Sequence, residues 1–129
     1  MGLIDELHNQ HMDIKKLLKK IQINTDVGII DSHFKSLKIV LISHLINEDN
    51  YLYPALRSLE ATKQISDSYE DEMSEISSEI MNFYARYESG NKIESFNQDI
   101  EDIMDKLVYR ITKEERELYP IFKTNFPNK

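Results

Sequence analysis

Residues 44–56 read HLINEDNYLYPAL, and a related pattern returns at residues 110–122 as RITKEERELYPIF. In both copies a glutamate, Glu48 or Glu114, stands four residues before a Leu-Tyr-Pro triplet. A proline inside a helix removes a hydrogen bond and kinks or ends the helix, so the repeated proline predicts the same local geometry twice. The repeat therefore predicts two helix hairpins that pack face to face.

Around these copies, apolar residues recur at steps of three and four, which is the helical period. Four such stripes follow one another: Ile4, Leu7, His11, Ile14, Leu18 and Ile21; Phe34, Leu37, Leu41, His44, Glu48, Leu52 and Ala55; Ile65, Tyr69, Met73, Ile76, Ile80, Phe83 and Tyr87; and Phe96, Ile100, Ile103, Leu107, Arg110, Glu114, Leu118 and Ile121. Asp31 or Ser32 is expected to cap the second helix. Gly90 is expected to end the third helix, and Asn91 with Glu94 to begin the fourth.

The links between these stripes are short and comprise residues 24–28, residues 60–62 and residues 89–91. Short links between long amphipathic helices favour antiparallel neighbours. The expected fold is therefore all-α, an up-down-up-down antiparallel four-helix bundle built from two helix hairpins. A length of 129 residues with no change in composition along the chain predicts one domain over residues 1–129.

Composition excludes several classes of function. The formal net charge is −7, with 16 Lys and Arg against 23 Asp and Glu, which argues against a nucleic-acid partner. The sequence has no apolar run long enough for a membrane span, so no membrane partner is expected. It has no cysteine, which rules out a thiolate nucleophile and cysteine-bound zinc. These features fit a soluble protein of the cytoplasm.

Five polar side chains interrupt the apolar stripes near the middle of three helices: His11, His44, Glu48, Arg110 and Glu114. Burying an ionisable group without a partner is costly. One histidine in such a stripe is most often a structural residue with a hydrogen bond. Five on three helices are harder to explain in that way, and metal or cofactor sites of helix bundles are built from inward-pointing side chains.

The arrangement of a histidine on the first helix and His-x-x-x-Glu-Asp-x-x-Leu-Tyr-Pro on the second, echoed on the last helix, resembles the hemerythrin family, also called the HHE cation-binding domain. The resemblance covers essentially the whole chain. It implies two iron atoms held between the hairpins, with His11 and His44 as terminal ligands of one iron and Glu48 and Glu114 as bridging carboxylates. Members of the family bind oxygen reversibly, sense oxygen or redox state, handle nitric oxide or peroxide, or help maintain iron–sulfur clusters.

The second half of the chain departs from the family pattern. Met73 stands at the histidine position of the third helix, and Arg110 at that of the fourth. A guanidinium has no lone pair for a metal, and a thioether suits copper(I) better than iron or zinc. The second metal site is therefore expected to be empty. Arg110 is expected to supply the missing positive charge by pairing with Glu48, Glu114 or both.

Two imidazoles and two carboxylates remain as ligands for a single ion: His11, His44, Glu48 and Glu114. Iron is the expected ion, with zinc or manganese as alternatives and water completing the shell. The alternative is that no metal binds and that these groups form a salt-bridge network with Arg110. Tyr53 and Tyr119 are expected to be core aromatics with hydrogen-bonded hydroxyls that could reach the site. Whether His8 or Glu72 replaces a lost ligand stays open.

The metal count limits the function. Reversible oxygen binding of the hemerythrin type takes one electron from each of two irons, so a site with one metal disfavours an oxygen carrier. The sequence predicts a metal-binding module that acts in metal, redox or gas sensing, with a metal-free regulatory or interaction bundle as the alternative. An enzyme acting on peroxide, nitric oxide or damaged clusters would need an open coordination position, so a non-enzymatic role is favoured. A protein partner or a second copy of the chain is left open.

Overall fold

A computed structural model describes residues 2–23, 26–88 and 96–127, which contain helices and no strand. The helices are α1 (Leu3–Ile23), α2 (Val27–Asn47), α3 (Tyr53–Arg57), α4 (Glu60–Glu88), α5 (Phe96–Lys113) and α6 (Tyr119–Asn125). Two π-helical turns, Glu48–Leu52 and Glu114–Leu118, continue α2 into α3 and α5 into α6. Four long rods result, with α1 packed along α2 and α4 along α5. The predicted all-α four-helix bundle is confirmed, and none of its described helices is both long and apolar enough to cross a membrane.

The second rod begins earlier than predicted. Asp26 caps α2: its backbone is extended, with φ −80° and ψ 119°, and its side chain accepts a hydrogen bond from the Ile29 N–H at 3.1 Å. Asp31 and Ser32 lie inside the helix, so the prediction that one of them is the cap is wrong. Asp26 and Asp31 are both of a residue type that favours the N-cap position. Capping at Asp26 lengthens the helix by more than one turn, and each added residue contributes a backbone hydrogen bond to a helix that already packs on α1.

The predicted link at residues 60–62 is helical, because α4 begins at Glu60. The buried hydroxyl of Thr62 donates to the Leu56 carbonyl at 2.6 Å and ties the first turn of α4 to the end of α3. This bond gives the polar threonine a partner inside the bundle, so the rods can turn within two residues. The predicted end of the third helix and start of the fourth fall on residues 90–94, which lie outside the described part of the chain.

The repeated Leu-Tyr-Pro triplets produce the two π turns. The N–H of Tyr53 donates to the carbonyl of Glu48, and the N–H of Tyr119 donates to the carbonyl of Glu114, five residues back in each case. The proline that follows each tyrosine has no N–H and crowds the carbonyl four residues earlier, so the α-helical ladder cannot run through it. One extra residue per turn relieves this conflict, and such turns are frequent at functional sites.

The extra residue changes which side chains reach the core. The apolar stripes predicted burial of Ala55 and Ile121, but the structure buries Leu56 and Phe122 fully and leaves the predicted residues half-buried. A π turn rotates everything after it by one residue relative to a regular α-helix. The same shift brings the tyrosines of the triplets into the interior.

The core consists of two apolar clusters separated by a polar layer. The first cluster contains Ile14, Leu18, Ile21, Phe34, Leu37, Leu41, Ile80, Phe83, Tyr84, Ile100, Ile103, Leu107 and Ile111. The second contains Ile4, Leu7, Leu52, Tyr53, Leu56, Tyr69, Leu118, Tyr119 and Phe122. Each large apolar side chain buried here contributes about 1.5–3 kcal/mol relative to exposure, which offsets the cost of the polar layer. That layer comprises the buried side chains of His11, His44, Glu48, Arg110 and Glu114.

Candidate metal centre

Three of the predicted ligands meet in the polar layer. His11 comes from α1, His44 from the last turn of α2, and Glu114 from the start of the second π turn. The His11 Nε2 atom lies 3.1 Å from the His44 Nε2 atom and 2.9 Å from the Glu114 Oε1 atom. One ligand atom from each residue lies within 4.8 Å of those of the other two, close enough to hold one ion, and all three side chains are buried.

Each imidazole is oriented through its other nitrogen. The His11 Nδ1 atom lies 2.9 Å from the Glu115 carboxylate, and the His44 Nδ1 atom lies 2.9 Å from the Gln10 side-chain oxygen. Both oxygens are acceptors, so each Nδ1 carries the proton that it donates. In a neutral imidazole the lone pair is then on Nε2, and both Nε2 atoms face the centre of the layer. Metal-ligating histidines are held in this way by hydrogen bonds to their distal nitrogen.

The spacing of the two nitrogens fits one cation. Two facing lone pairs 3.1 Å apart require a proton or a cation between or beside them. With metal–nitrogen bonds of about 2.0–2.1 Å, two nitrogens on one ion lie about 3.0 Å apart at a right angle and about 3.4 Å apart at the tetrahedral angle. The observed separation falls inside this range, so the histidine pair is arranged as a chelate.

Glu48, the fourth predicted ligand, follows His44 by one turn on the same rod and lies beside the group of three rather than within it. Its Oε2 atom lies 3.5 Å from the His44 Nε2 atom. Its Oε1 atom is buried and has no hydrogen-bond partner among the described residues. An unpartnered carboxylate oxygen in the core is costly, and coordination of a cation is one way to satisfy it. The donor chemistry of this layer therefore fits a hard or borderline divalent ion.

A small cavity opens within the polar layer. Its volume is about 10 Å³, close to the minimum for one water molecule, and thus the size of a single ion or water. The lining residues are His11, Ile14, Leu41, His44, Leu45, Met73, Leu107, Arg110, Ile111 and Glu114. The cavity therefore lies between the intact half of the site and the residues that replace the second half.

The ionisable groups of the layer strongly shift one another's pKa values. Burial and the neighbouring Glu114 carboxylate raise the pKa of Glu48 to about 7. Burial alone would lower the pKa of His44, but Glu48 and Glu114 outweigh that effect and raise it to about 10. Burial alone would raise the pKa of Glu114, but hydrogen bonds from His11 and His44 and the charge of Arg110 hold it well below its usual range. Without a cation, protons must carry the positive charge that this layer needs.

The Tyr119 hydroxyl reaches the centre of the site. It lies 3.1 Å from the His11 Nε2 atom, 3.1 Å from the Glu114 Oε1 atom and 3.4 Å from the Glu48 Oε2 atom. Burial and the two carboxylates raise the pKa of this phenol, so it remains protonated. Because one hydroxyl proton can satisfy only one of these three acceptors, Tyr119 leaves the others in need of a partner.

Arg110 occupies the second half of the layer. Its guanidinium is buried and donates to the Glu114 Oε2 atom at 3.0 Å, the Glu72 Oε1 atom at 3.1 Å and the Tyr53 hydroxyl at 2.9 Å. The expected pairing with Glu114 is confirmed. The alternative pairing with Glu48 is not observed as a hydrogen bond; the third guanidinium nitrogen donates to Tyr53 instead. Arg110 thus holds a permanent positive charge beside Glu114.

Glu72 supports Arg110 from the edge of the bundle. Its second oxygen accepts from the Lys113 ammonium at 3.1 Å. Partial burial would raise the pKa of Glu72, but Lys113 and Arg110 outweigh it and lower the pKa. Glu72 is therefore paired with two cations, and nothing in its contacts points to a replacement metal ligand. Met73 beside it is buried and lines the cavity.

His8 lies outside the layer. Its side chain is half exposed, and its Nδ1 atom lies 3.4 Å from the same Glu115 oxygen that orients His11. The sequence did not identify Glu115 or Gln10 as site residues. Glu115 directly follows the candidate ligand Glu114 in the repeated segment, so its position could have suggested a role in the site. No comparable sequence feature points to Gln10. Both residues lie off the buried stripes, which is why periodicity did not select them.

The sequence model of the family described as the Hemerythrin HHE cation binding domain matches residues 2–122. No curated protein and no solved structure matches the chain.

Proposed function

The chain belongs to the family of hemerythrin HHE cation-binding domains, and from that premise we propose that it binds one divalent transition-metal cation through the group of His11, His44 and Glu114, with Glu48 beside it as the fourth ligand. The observation that carries this proposal is the pair of Nε2 atoms 3.1 Å apart. Their distal nitrogens are both held as donors, so their lone pairs converge on one point beside a carboxylate.

The ligand types set the class of ion. Two imidazoles and two carboxylates suit iron(II), zinc(II) or manganese(II) better than magnesium, which prefers oxygen ligands alone. Iron is our first candidate. A bound ion supplies a Lewis-acidic centre, and iron would also supply a redox-active one. Around it, Gln10 and Glu115 orient the imidazoles, while Tyr119 donates a hydrogen bond to the carboxylate layer.

One ion rather than two follows from the residues of the second half. Arg110 and Met73 stand where further ligands would be needed, and the guanidinium already compensates Glu114. A site with one metal does not supply the two electrons of hemerythrin-type oxygen carriage. We therefore propose a role in metal, redox or gas sensing. We place this role in the cytoplasm, with which a chain without cysteine is compatible.

Metal content of the purified chain tests this proposal. The protein is stripped with a chelator, incubated separately with iron(II) under anaerobic conditions, zinc(II) or manganese(II), and desalted before elemental analysis. About one equivalent is expected, and His44→Ala should lose it. His33→Ala, at a histidine eleven residues before His44 on α2, is the matched control and should retain the ion. Retention of one equivalent by His44→Ala, or two equivalents in the parent chain, would contradict the assignment.

The metal-free bundle is the second candidate. It is favoured by the continuous chain of ion pairs from Lys113 through Glu72 and Arg110 to Glu114 and His11. Such a network could hold the layer together without an ion and leave a regulatory or interaction module. Failure of the stripped chain to take up any of the three metals would favour this candidate.

A further inference from the structure

One face of α2 is apolar and exposed. Lys35, Ile39, Ile42, Ile46 and Asp49 follow one another at steps of four, three, four and three, which places them on one stripe of the helical rod. We call these five residues the α2 seam; four of them lie on α2, and Asp49 lies in the π turn that continues it. All five side chains are exposed, with Ile39 67% and Ile46 51% accessible. This 3.5-residue period is typical of helices that pair with another helix.

The two ends of the seam carry opposite charges. Lys35 stands at its start and Asp49 at its end, and both lie seven residues from Ile42. Within its own helix Lys35 also pairs with Asp31 at 3.1 Å, where the two side chains are 68% and 39% exposed. The seam is therefore an apolar strip with a cationic end and an anionic end.

The neighbouring helix reinforces this polarity. α1 runs antiparallel to α2, as the contact of Glu6 with Asn47 and that of Gln10 with His44 establish. This register puts the first turns of α1, with exposed acidic residues Asp5 and Glu6, alongside the acidic end of the seam. It puts the later turns of α1, with exposed basic residues Lys15, Lys16, Lys19 and Lys20, alongside the basic end.

We propose that the α2 seam binds the α2 seam of a second copy of this chain in antiparallel orientation. A two-fold axis at Ile42 would bring Lys35 of each copy opposite Asp49 of the other, with the isoleucines between them. This charge pattern favours a second copy of the chain as the binding partner, because an antiparallel copy places a complementary charge at each end of the seam. The proposal does not depend on metal binding.

The size of the seam sets the strength of the contact. Its fifteen positions span about 21 Å of helix, which is short for an interface between proteins. We therefore expect a weak dimer with a dissociation constant in the micromolar range or above. Sedimentation equilibrium of the full chain from about 10 µM to 1 mM should show the apparent mass rising from 15.2 kDa towards twice that value.

Charge reversal gives the sharpest test. Lys35→Glu and Asp49→Lys should each weaken the dimer about tenfold, because each change puts like charges opposite one another at two symmetric places. The double variant restores both pairs in swapped form, so its dimer should return to within about threefold of the parent. Equal weakening in the double variant and the single variants would overturn the antiparallel register.

The apolar part of the seam is tested separately. Ile42→Glu should abolish dimer formation while circular dichroism and thermal unfolding report an intact bundle, because Ile42 is exposed on the folded chain. Val108→Glu is the control, since Val108 is a similarly exposed aliphatic residue on α5. A parent chain that stays monomeric up to 1 mM overturns the proposal. So does a seam that binds lipid vesicles or another protein while remaining monomeric.

Discussion

Replacing Arg110 by methionine is expected to destabilise the metal-free bundle strongly. Methionine keeps much of the volume of arginine, so the loss reports the charge and its hydrogen bonds rather than a large cavity. The guanidinium is 2% exposed and Glu114 is 1% exposed, so breaking this pair removes the permanent cation beside a buried carboxylate and leaves Glu114 with only His11 and His44 as its ion-pair partners. Removal of one partner from a buried ion pair costs about 3–5 kcal/mol.

The contacts of Arg110 with Glu72 and Tyr53 contribute less to the loss in the free energy of unfolding. Glu72 is about one-third exposed, so water can replace the lost guanidinium, and such partly exposed pairs contribute about 0–1 kcal/mol. The Tyr53 hydroxyl loses a donor and can rotate its own proton elsewhere. The expected loss in the free energy of unfolding is therefore about 3–5 kcal/mol, most of it from Glu114.

Urea unfolding of the chelator-treated chain measures this loss. Lys113→Ala is the matched control, because Lys113 pairs with the other oxygen of the same Glu72 carboxylate from a more exposed position. It should cost about 1 kcal/mol or less. Adding Glu114→Gln to Arg110→Met should recover much of the loss, since no buried charge is then left unpaired. If Arg110→Met costs no more than Lys113→Ala, the guanidinium does not replace a cation in this layer.

Three further predictions concern the ion. In calorimetric titration, Glu115→Ala should weaken zinc or iron binding about 10- to 100-fold and leave the stoichiometry at one, because it removes the hydrogen bond that orients the proposed ligand His11. An unchanged affinity would contradict this role of Glu115. The double variant Arg110→His with Met73→His should raise the metal content from one ion towards two by elemental analysis, and an unchanged content would mean that other features close the second half. Metal affinity should rise as the pH rises through about 7, because Glu48 and His44 hold protons that an ion must displace. Calorimetry in two buffers of different ionisation enthalpy should therefore show that metal binding releases protons, and binding without proton release would contradict this.

The bundle and the polar layer could be predicted because both are repeated one-dimensional patterns. Apolar residues at steps of three and four specify which side of each helix faces the core. Ionisable residues inside those stripes, such as His11 and His44, then have to share one buried level. The repeat around Glu48 and Glu114 further indicated that two rods contribute equivalent positions. None of these inferences requires knowledge of how the helices are rotated against one another.

The parts that could not be predicted depend on that rotation. Gln10 and Glu115 lie beside the buried stripe, and only the register between α1 and the neighbouring rods brings them to the histidines. The matched prolines indicated a disturbance of the helix, but not whether it would be a kink, an end or an inserted residue. The insertion decided that Leu56 and Phe122, rather than their predecessors, fill the core.

The two halves of the layer share one hydrogen-bond arrangement. In the first half Gln10, one residue before His11, bonds His44 on the next rod. In the second half Glu72, one residue before Met73, bonds Arg110, which stands at the position equivalent to His44.

In each half the orienting residue matches the chemistry of the residue that it orients. A neutral amide accepts from an imidazole that must stay neutral to bind a metal, whereas a carboxylate accepts from a guanidinium that is always charged. The second half is organised around the Arg110 guanidinium, which neutralises Glu114 from one side while leaving its other oxygen beside His11. On this reasoning Arg110 and the proposed ion are parts of one centre, and the single ion that we propose follows from the permanent charge that Arg110 places beside Glu114.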